Sequence, residues 1–228
     1  MISFHVITLF PESIRCYCEF SIISRAIEAG HIEVKFYNPM DYTSPRSEGA
    51  LPQRVDAKSF GGGPGMVLRA EPIISAVKDA VGKKRNVRYI HFAPRGEKYN
   101  NTHAEAIAQA GIAKTKAIRD VVLICGRYEG IDSRIEDIFP GEKFSMGDYV
   151  TTGGELPAMT IIDSVTRRIP GVLGERESLE EERTAPEEYY TRPRVLQYRG
   201  KKYEVPGVLV EGNHKEIEKY RSKKHQDK

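Results

Sequence analysis

The run Val121–Cys125 (VVLIC) is apolar at every position. A strand that meets water on one face alternates apolar with polar residues. A strand apolar throughout needs cover on both faces, the situation of an inner strand in a parallel sheet. Around this run, strand-like and helix-like periods alternate. Phe4–Leu9, Ile32–Tyr37 and Val87–Phe92 read as strands. Glu19–Ala29, Glu71–Val81, His103–Gly111, Ile131–Ile138 and Leu156–Arg168 read as helices, the last with Leu156, Met159, Ile162 and Val165 turned inward. This alternation predicts an α/β domain with a mainly parallel sheet, filling roughly the first 170 residues. Residues 39–60 read as a long polar loop ending in Gly61-Gly62-Gly63-Pro64-Gly65. Beyond Tyr189 no core pattern returns until a charged helix at Asn213–Lys224.

Composition narrows the class. With 228 residues, 39% hydrophobic and 29% charged, the chain fits an ordinary globular protein. No apolar run approaches the ~20 residues a membrane span needs. The start, MISFHVITLFPE, lacks a basic leader and reads as a first strand stopped by Pro11. Cys16, Cys18 and Cys125 are an odd, sparse set, which points to a reducing, cytoplasmic setting without disulfides. Cys16-x-Cys18 has no partner pair, so no metal site is expected. The net charge of +3 is unevenly spread: residues 189–228 hold eleven Lys/Arg against five Asp/Glu, and residues 175–188 hold seven Glu against two Arg. A basic tail is the footprint of a polyanion partner, and equally of a solvated helix face.

Three glycine-bearing turns follow strand-like runs: APRG (Ala93–Gly96), GRYEG (Gly126–Gly130) and TTGGE (Thr151–Glu155). Loops after consecutive parallel strands converge on the carboxyl edge of a sheet, where α/β proteins bind ligands. G-x-G-x-x-G, G-x-x-x-x-G-K-[ST], G-x-S-x-G and H-E-x-x-H are all absent. GGGPG could cradle a phosphate or simply form a tight turn. The loops suit a ligand held by backbone groups, such as a nucleoside with an amino-acid tail; plain fold turns are the other reading.

The segments VDAKSFGGGPGM (Val55–Met66), CGRYEGID (Cys125–Asp132), GDYVTTGGELPAM (Gly147–Met159), IPGVLG (Ile169–Gly174) and YTRP (Tyr190–Pro193) together resemble the bacterial tRNA (guanine-N1)-methyltransferase family. The resemblance implies a SPOUT-class α/β fold with a deep trefoil knot, over residues 1–174. It further implies an acidic linker at 175–188 and a small, mainly helical, basic tRNA-binding domain at 189–228. It implies S-adenosylmethionine as methyl donor, N1 of the tRNA guanine immediately 3′ of the anticodon as acceptor, a homodimer with shared sites, and a cytoplasmic location. For the donor it implies Phe92, Pro94, Gly126, Tyr128, Met146, Gly147, Asp148, Tyr149, Val150, Thr151, Gly153 and Gly154; for catalysis it implies Arg167, Glu129 and Glu182. Glu182 stands where the family has aspartate, eight residues beyond Gly174. Arg183–Tyr189 replaces a longer family segment, Ala57 replaces a second aspartate beside Asp56, and His91 replaces a tyrosine. A ribose 2′-O-methyltransferase of the same class, or a non-catalytic RNA-binding module, are the alternatives.

Overall fold

The computed structural model describes residues 1–43, 54–115, 117–173, 188–210 and 212–223. The chain divides into two units, Met1–Gly174 and Glu175–Lys228. In the first unit β1 (Ile2–Ile7), β2 (Ile32–Tyr37), β5 (Val87–Lys98), β6 (Asp120–Ile124) and β7 (Glu142–Ser145) form one sheet in the order β2-β1-β6-β5-β7. Every pairing in it is parallel.

The apolar run is the inner strand its composition demands. Val121, Val122, Leu123 and Ile124 are each fully buried, because alternate residues feed two separate cores. Phe4, Val6, Val121 and Leu123 pack on one face under α1 (Pro11–Cys18), α2 (Ser21–Glu28), α4 (Asn101–Ile112) and α6 (Glu155–Thr166). Ile7, Val122 and Ile124 pack on the other under α3 (Ala70–Val81) and α5 (Arg134–Ile138). Each such side chain contributes on the order of 1.5–3 kcal/mol of burial.

Four local departures from the sequence reading have physical causes. The helix expected at Glu19–Ala29 is α2, which starts at Ser21 with φ +56°, and an unexpected helix, α1, precedes it. Pro11 does not merely end the first strand; it opens α1, where its missing N–H costs nothing. On α6, Ile162 and Val165 face inward as expected and Met159 packs partly buried on the core, but Leu156 is exposed, and Ala158 and Ile161 take its place on the inward face. APRG does not end its strand: Phe92 and Glu97 both pair with Phe144, so Ala93–Gly96 bulges out and β5 resumes to Lys98. Gly96 is required at the return, since a Cβ there would lie 2.6 Å from the Phe144 carbonyl carbon.

The expected long loop opens with a 3-10 turn at Pro39–Tyr42, capped by the Asn38 side chain accepting from the Met40 N–H. It closes with the short antiparallel pair β3 (Asp56–Ala57) and β4 (Val67–Leu68), which brackets the glycine run.

The second unit holds a hairpin, β8 (Val195–Tyr198) with β9 (Lys201–Glu204), in a stretch read as patternless. Its two-residue turn, Arg199-Gly200, has φ of +49° and +76°, as a type I′ turn requires. A 3-10 turn at Gly207–Leu209 and α7 (His214–Lys223) follow. The described part of this unit therefore combines strands with a helix, where a mainly helical unit was expected. Among the described residues no helix is long and apolar enough to cross a membrane.

Candidate active site

A cleft of about 270 Å³ opens at the carboxyl ends of β5, β6 and β7. Its walls are the Ala93–Gly96 bulge, the loop after β6 and the loop after β7; Phe92, Phe144, Met146 and Pro157 supply apolar surface. The expected donor residues Phe92, Pro94, Gly126, Tyr128, Met146, Tyr149, Val150, Thr151, Gly153 and Gly154 line it, and so does Glu129. Gly147 and Asp148 do not: the Tyr149 ring lies over Gly147, and Asp148 points to Lys98 at 2.6 Å.

Glycine lets the two major loops touch. Gly154 donates its N–H to the Gly126 carbonyl at 2.9 Å, and a Cβ on Gly154 would sit 2.6 Å from Cys125 Cα. Arg127 and Gly153 form an isolated β-bridge. Behind this junction, Cys125 Sγ donates to the Gly154 carbonyl at 3.4 Å. Burial pushes the Cys125 thiol well above its ordinary range, reinforced by the Glu155 carboxylate, so it stays protonated.

A charged network behind the cleft lay outside the sequence reading. Glu155, only 4% exposed at the first turn of α6, accepts from Thr8 Oγ1 at 2.8 Å. Its other oxygen lies 3.0 Å from Arg127 Nε. Arg127 in turn stacks on the Phe10 ring at 4.4 Å and reaches the Thr152 carbonyl. The network ties the β1–α1 connection, the GRYEG loop and the TTGG loop together. Glu155 also faces the positive end of α6, where a carboxylate is favoured. Both residues stood within quoted motifs, but only a three-dimensional fold brings Thr8 and Phe10 to them.

The glycine-rich loop joins from the side. Leu68 N–H bonds the Gly130 carbonyl, Glu129 N–H the Met66 carbonyl and Asp132 N–H the Leu68 carbonyl, each at 3.0 Å. Gly65, at φ +79°, leaves room for the Glu129 side chain, which a Cβ would strike at 2.5 Å. Tyr128, at φ +59°, is held in the left-handed region and exposed beside the cleft. Asp56 is buried and paired with Arg54 at 2.8 Å.

Arg167 lies elsewhere. It caps the far end of α6, ten residues beyond the cleft-lining Pro157, a rise of about 15 Å along the axis. Its neighbour Arg168 is buried and paired with Glu105 at 3.3 Å. Glu182 lies outside the described residues. Among the described residues no group of three His, Cys, Asp or Glu is placed to hold a metal ion.

A glycine-walled cleft on the carboxyl edge of a parallel sheet, without a phosphate-loop signature, defines an α/β protein for a backbone-held ligand. Comparison with known proteins makes the class specific. The model of the family described as tRNA (guanine-1)-methyltransferase TrmD matches residues 2–228. A tRNA (guanine-N(1)-)-methyltransferase of Clostridioides difficile (strain 630) is 43% identical over 224 residues, covering 96% of this chain and 90% of that protein. One of Aliivibrio salmonicida is 43% identical over 225 residues, covering 96% and 83%. The crystal structure of a tRNA (m1G37) methyltransferase from Aquifex aeolicus superposes with a TM-score of 0.72 at 37% identity, covering 96% of this chain and 87% of that one. This chain belongs to the tRNA (guanine-1)-methyltransferase family.

Proposed function

We propose that this chain transfers a methyl group from S-adenosylmethionine to N1 of the guanine immediately 3′ of the tRNA anticodon, acting in the cytoplasm as a homodimer whose sites draw on both copies. The observation that carries this is the cleft itself. Ten of the twelve donor residues expected from sequence meet there, and a Cβ would strike the Glu155 carboxylate at Gly153 and Cys125 Cα, 2.6 Å away, at Gly154. Its volume of about 270 Å³ sits just below the ~300–1,000 Å³ typical of small-molecule sites.

When bound, S-adenosylmethionine supplies an already activated sulfonium methyl, so transfer needs no metal to polarise the donor. Phe92 and Pro94 provide the flat apolar slot for adenine. Gly126, Gly153, Gly154 and the segment Met146–Thr151 offer backbone groups, Gly147 and Asp148 by shaping the loop from behind. Tyr128 would line the donor site, and Glu129 would stand near the donor and the target base. Guanine N1 carries a proton and is a poor nucleophile. Glu182 accepts that proton, and Arg167 donates to O6, where negative charge develops.

The ~15 Å of helix between the cleft-lining Pro157 and Arg167 supports a shared site. The cleft and Arg167 stand at opposite ends of α6, which favours Arg167 serving a second copy's cleft. A trefoil knot is supported by the route around β5. From β6 the chain crosses one face through α5 to reach β7 beyond β5, then returns at Gly154 to β6 and enters the other face as α6. Residues 175–188 would be the lid over the substrate, and 189–228 a tRNA-binding domain.

The test uses labelled S-adenosylmethionine with two unmodified tRNA transcripts, one with guanine and one with adenine at position 37. Label in the first alone supports the reading. Equal label in both sinks it, and donor binding without any label favours a non-catalytic module.

A further inference from the structure

The β8–β9 hairpin exposes more apolar and aromatic surface than a two-stranded ribbon can justify. Leu196, Tyr198 and Tyr203 are 56%, 58% and 53% exposed. Register fixes which side they share. Leu196 stands opposite Tyr203 and Tyr198 opposite Lys201, so these four side chains occupy one face, and Val195, Gln197, Lys202 and Glu204 occupy the other. An isolated hairpin is marginal in water, and every residue of both strands is exposed, with both aromatic rings on this one face.

Charge says what covers it. Arg192, Arg194, Arg199, Lys201 and Lys202 are all exposed, and none meets a carboxylate among the described residues. Arg199 instead lies over the Tyr198 ring, 5.3 Å from its centroid. Glu204 is the only acid of the two strands, and it sits on the opposite face from the tyrosines. A protein surface dressed with aromatic rings and unpaired cations does not match a second copy of itself, because the cations would repel. It matches a partner with planar rings and a regular negative backbone.

We propose that this face of the hairpin is a stacking platform for unpaired RNA bases, Tyr198 and Tyr203 each carrying one base while the flanking arginines and lysines hold the phosphates. The inference rests on the tRNA reading above and deepens it, by naming single-stranded nucleotides of the substrate as what this unit grips. Tyr198 and Tyr203 are diagonal neighbours, which places their Cα atoms ~7 Å apart, about one extended nucleotide step. Base–aromatic stacking tolerates any base, since every base has a π-face, so this contact supplies affinity and leaves selection of the guanine to the catalytic site. The cations add a salt-dependent contribution that falls as each is neutralised.

The experiment measures binding of the full chain to a short single-stranded RNA with the anticodon-loop sequence, and to a blunt RNA duplex of equal length, by fluorescence anisotropy over a salt series. Steady-state methylation of the tRNA transcript is measured beside it. Tyr198→Ala with Tyr203→Ala should weaken single-strand binding at least about tenfold and raise KM for tRNA, with duplex binding and KM for S-adenosylmethionine unchanged. Phe at both positions should restore wild-type affinity, because stacking needs the ring and not the hydroxyl. Arg199→Gln with Lys201→Gln should flatten the salt dependence by close to two phosphate contacts. Equal affinity of the Ala variant and the wild type, a Phe variant as weak as the Ala variant, or a changed oligomeric state on Tyr replacement would each overturn the platform. If the wild type methylates its transcript while the Ala variant is unaffected, the platform alone fails. If the wild type neither binds nor methylates tRNA, the functional reading fails with it.

Discussion

Replacing Glu155 with Ala removes the acceptor of Thr8 Oγ1 at 2.8 Å and the carboxylate 3.0 Å from Arg127 Nε. Breaking a buried ion pair by deleting one partner costs about 3–5 kcal/mol, because the remaining charge is stranded. Here the stranded group is Arg127, whose side chain is 25% exposed and stacked on Phe10, so solvent and the ring recover part of that. A net cost of about 2–3 kcal/mol remains. The orphaned Thr8 hydroxyl adds about 1 kcal/mol. For a unit of this size each kcal/mol moves Tm by about 2–4 °C, so a fall of about 6–16 °C is expected in differential scanning calorimetry.

The second consequence separates this network from ordinary core packing. Glu155 connects the GRYEG and TTGG loops that wall the cleft, so donor affinity should fall along with stability. Titration calorimetry with S-adenosylmethionine, run well below the variant's Tm, reads it directly. Glu155→Gln keeps the shape and an oxygen for Thr8, and should recover most of the Tm loss but less of the affinity. A variant that melts with the wild type and binds donor equally would refute the reasoning.

Gly154→Ala places a methyl 2.6 Å from Cys125 Cα, backbone that cannot turn aside, and should cost about 1–3 kcal/mol in Tm-derived stability while abolishing donor binding at working concentrations. Arg167→Ala should leave donor affinity unchanged and remove methyl transfer; mixed with an excess of Gly154→Ala chains it should regain part of its activity, because a mixed dimer assembles one intact site. Absence of any regain would place Arg167 at its own copy's cleft. His5 is fully buried, held 2.9 Å from Asp120 and 3.3 Å from the Tyr37 hydroxyl. Burial pushes its pKa below the ordinary histidine value, outweighing the raising effect of Asp120. The unfolded chain therefore binds a proton first as pH falls, and stability is present above pH ~6.5 and lost below it. Urea melts of wild type and His5→Gln should differ most at pH 8 and converge towards pH 5; a constant difference would contradict the assignment.

Where the chain's own periodicity decides the outcome, sequence reading succeeded. Val121–Ile124 could only be an inner parallel strand, and helix α3 was found within one residue because Pro72 and the Ile73, Ala76, Val77 stripe mark it. Failures fall where tertiary contacts decide. APRG carries the residues of a turn, yet Phe144 pairs with Phe92 and again with Glu97, so the strand resumes. The hairpin hid because its alternation, Val195-Leu196-Gln197-Tyr198, mixes apolar and polar residues on both faces, and Arg199-Gly200 is a rarer turn pair than Asn-Gly. In the site, the glycines were legible as close approaches, since only they let Gly154 meet Gly126. Thr8 and Phe10 were not, because they lie 119 and 117 positions from Arg127 in the chain. The position of Arg167 beyond the far end of α6 was a matter of helix length, which the residues gave, but its meaning required the cleft to be located first.

The central claim is that the methyl group arrives on N1 of the guanine 3′ of the anticodon. The direct measurement digests the methylated tRNA transcript to nucleosides and identifies the labelled product by mass spectrometry, with fragment mapping to the position. The account predicts 1-methylguanosine alone, from position 37. Label on a ribose 2′ oxygen, or on a guanine elsewhere in the tRNA, would contradict it.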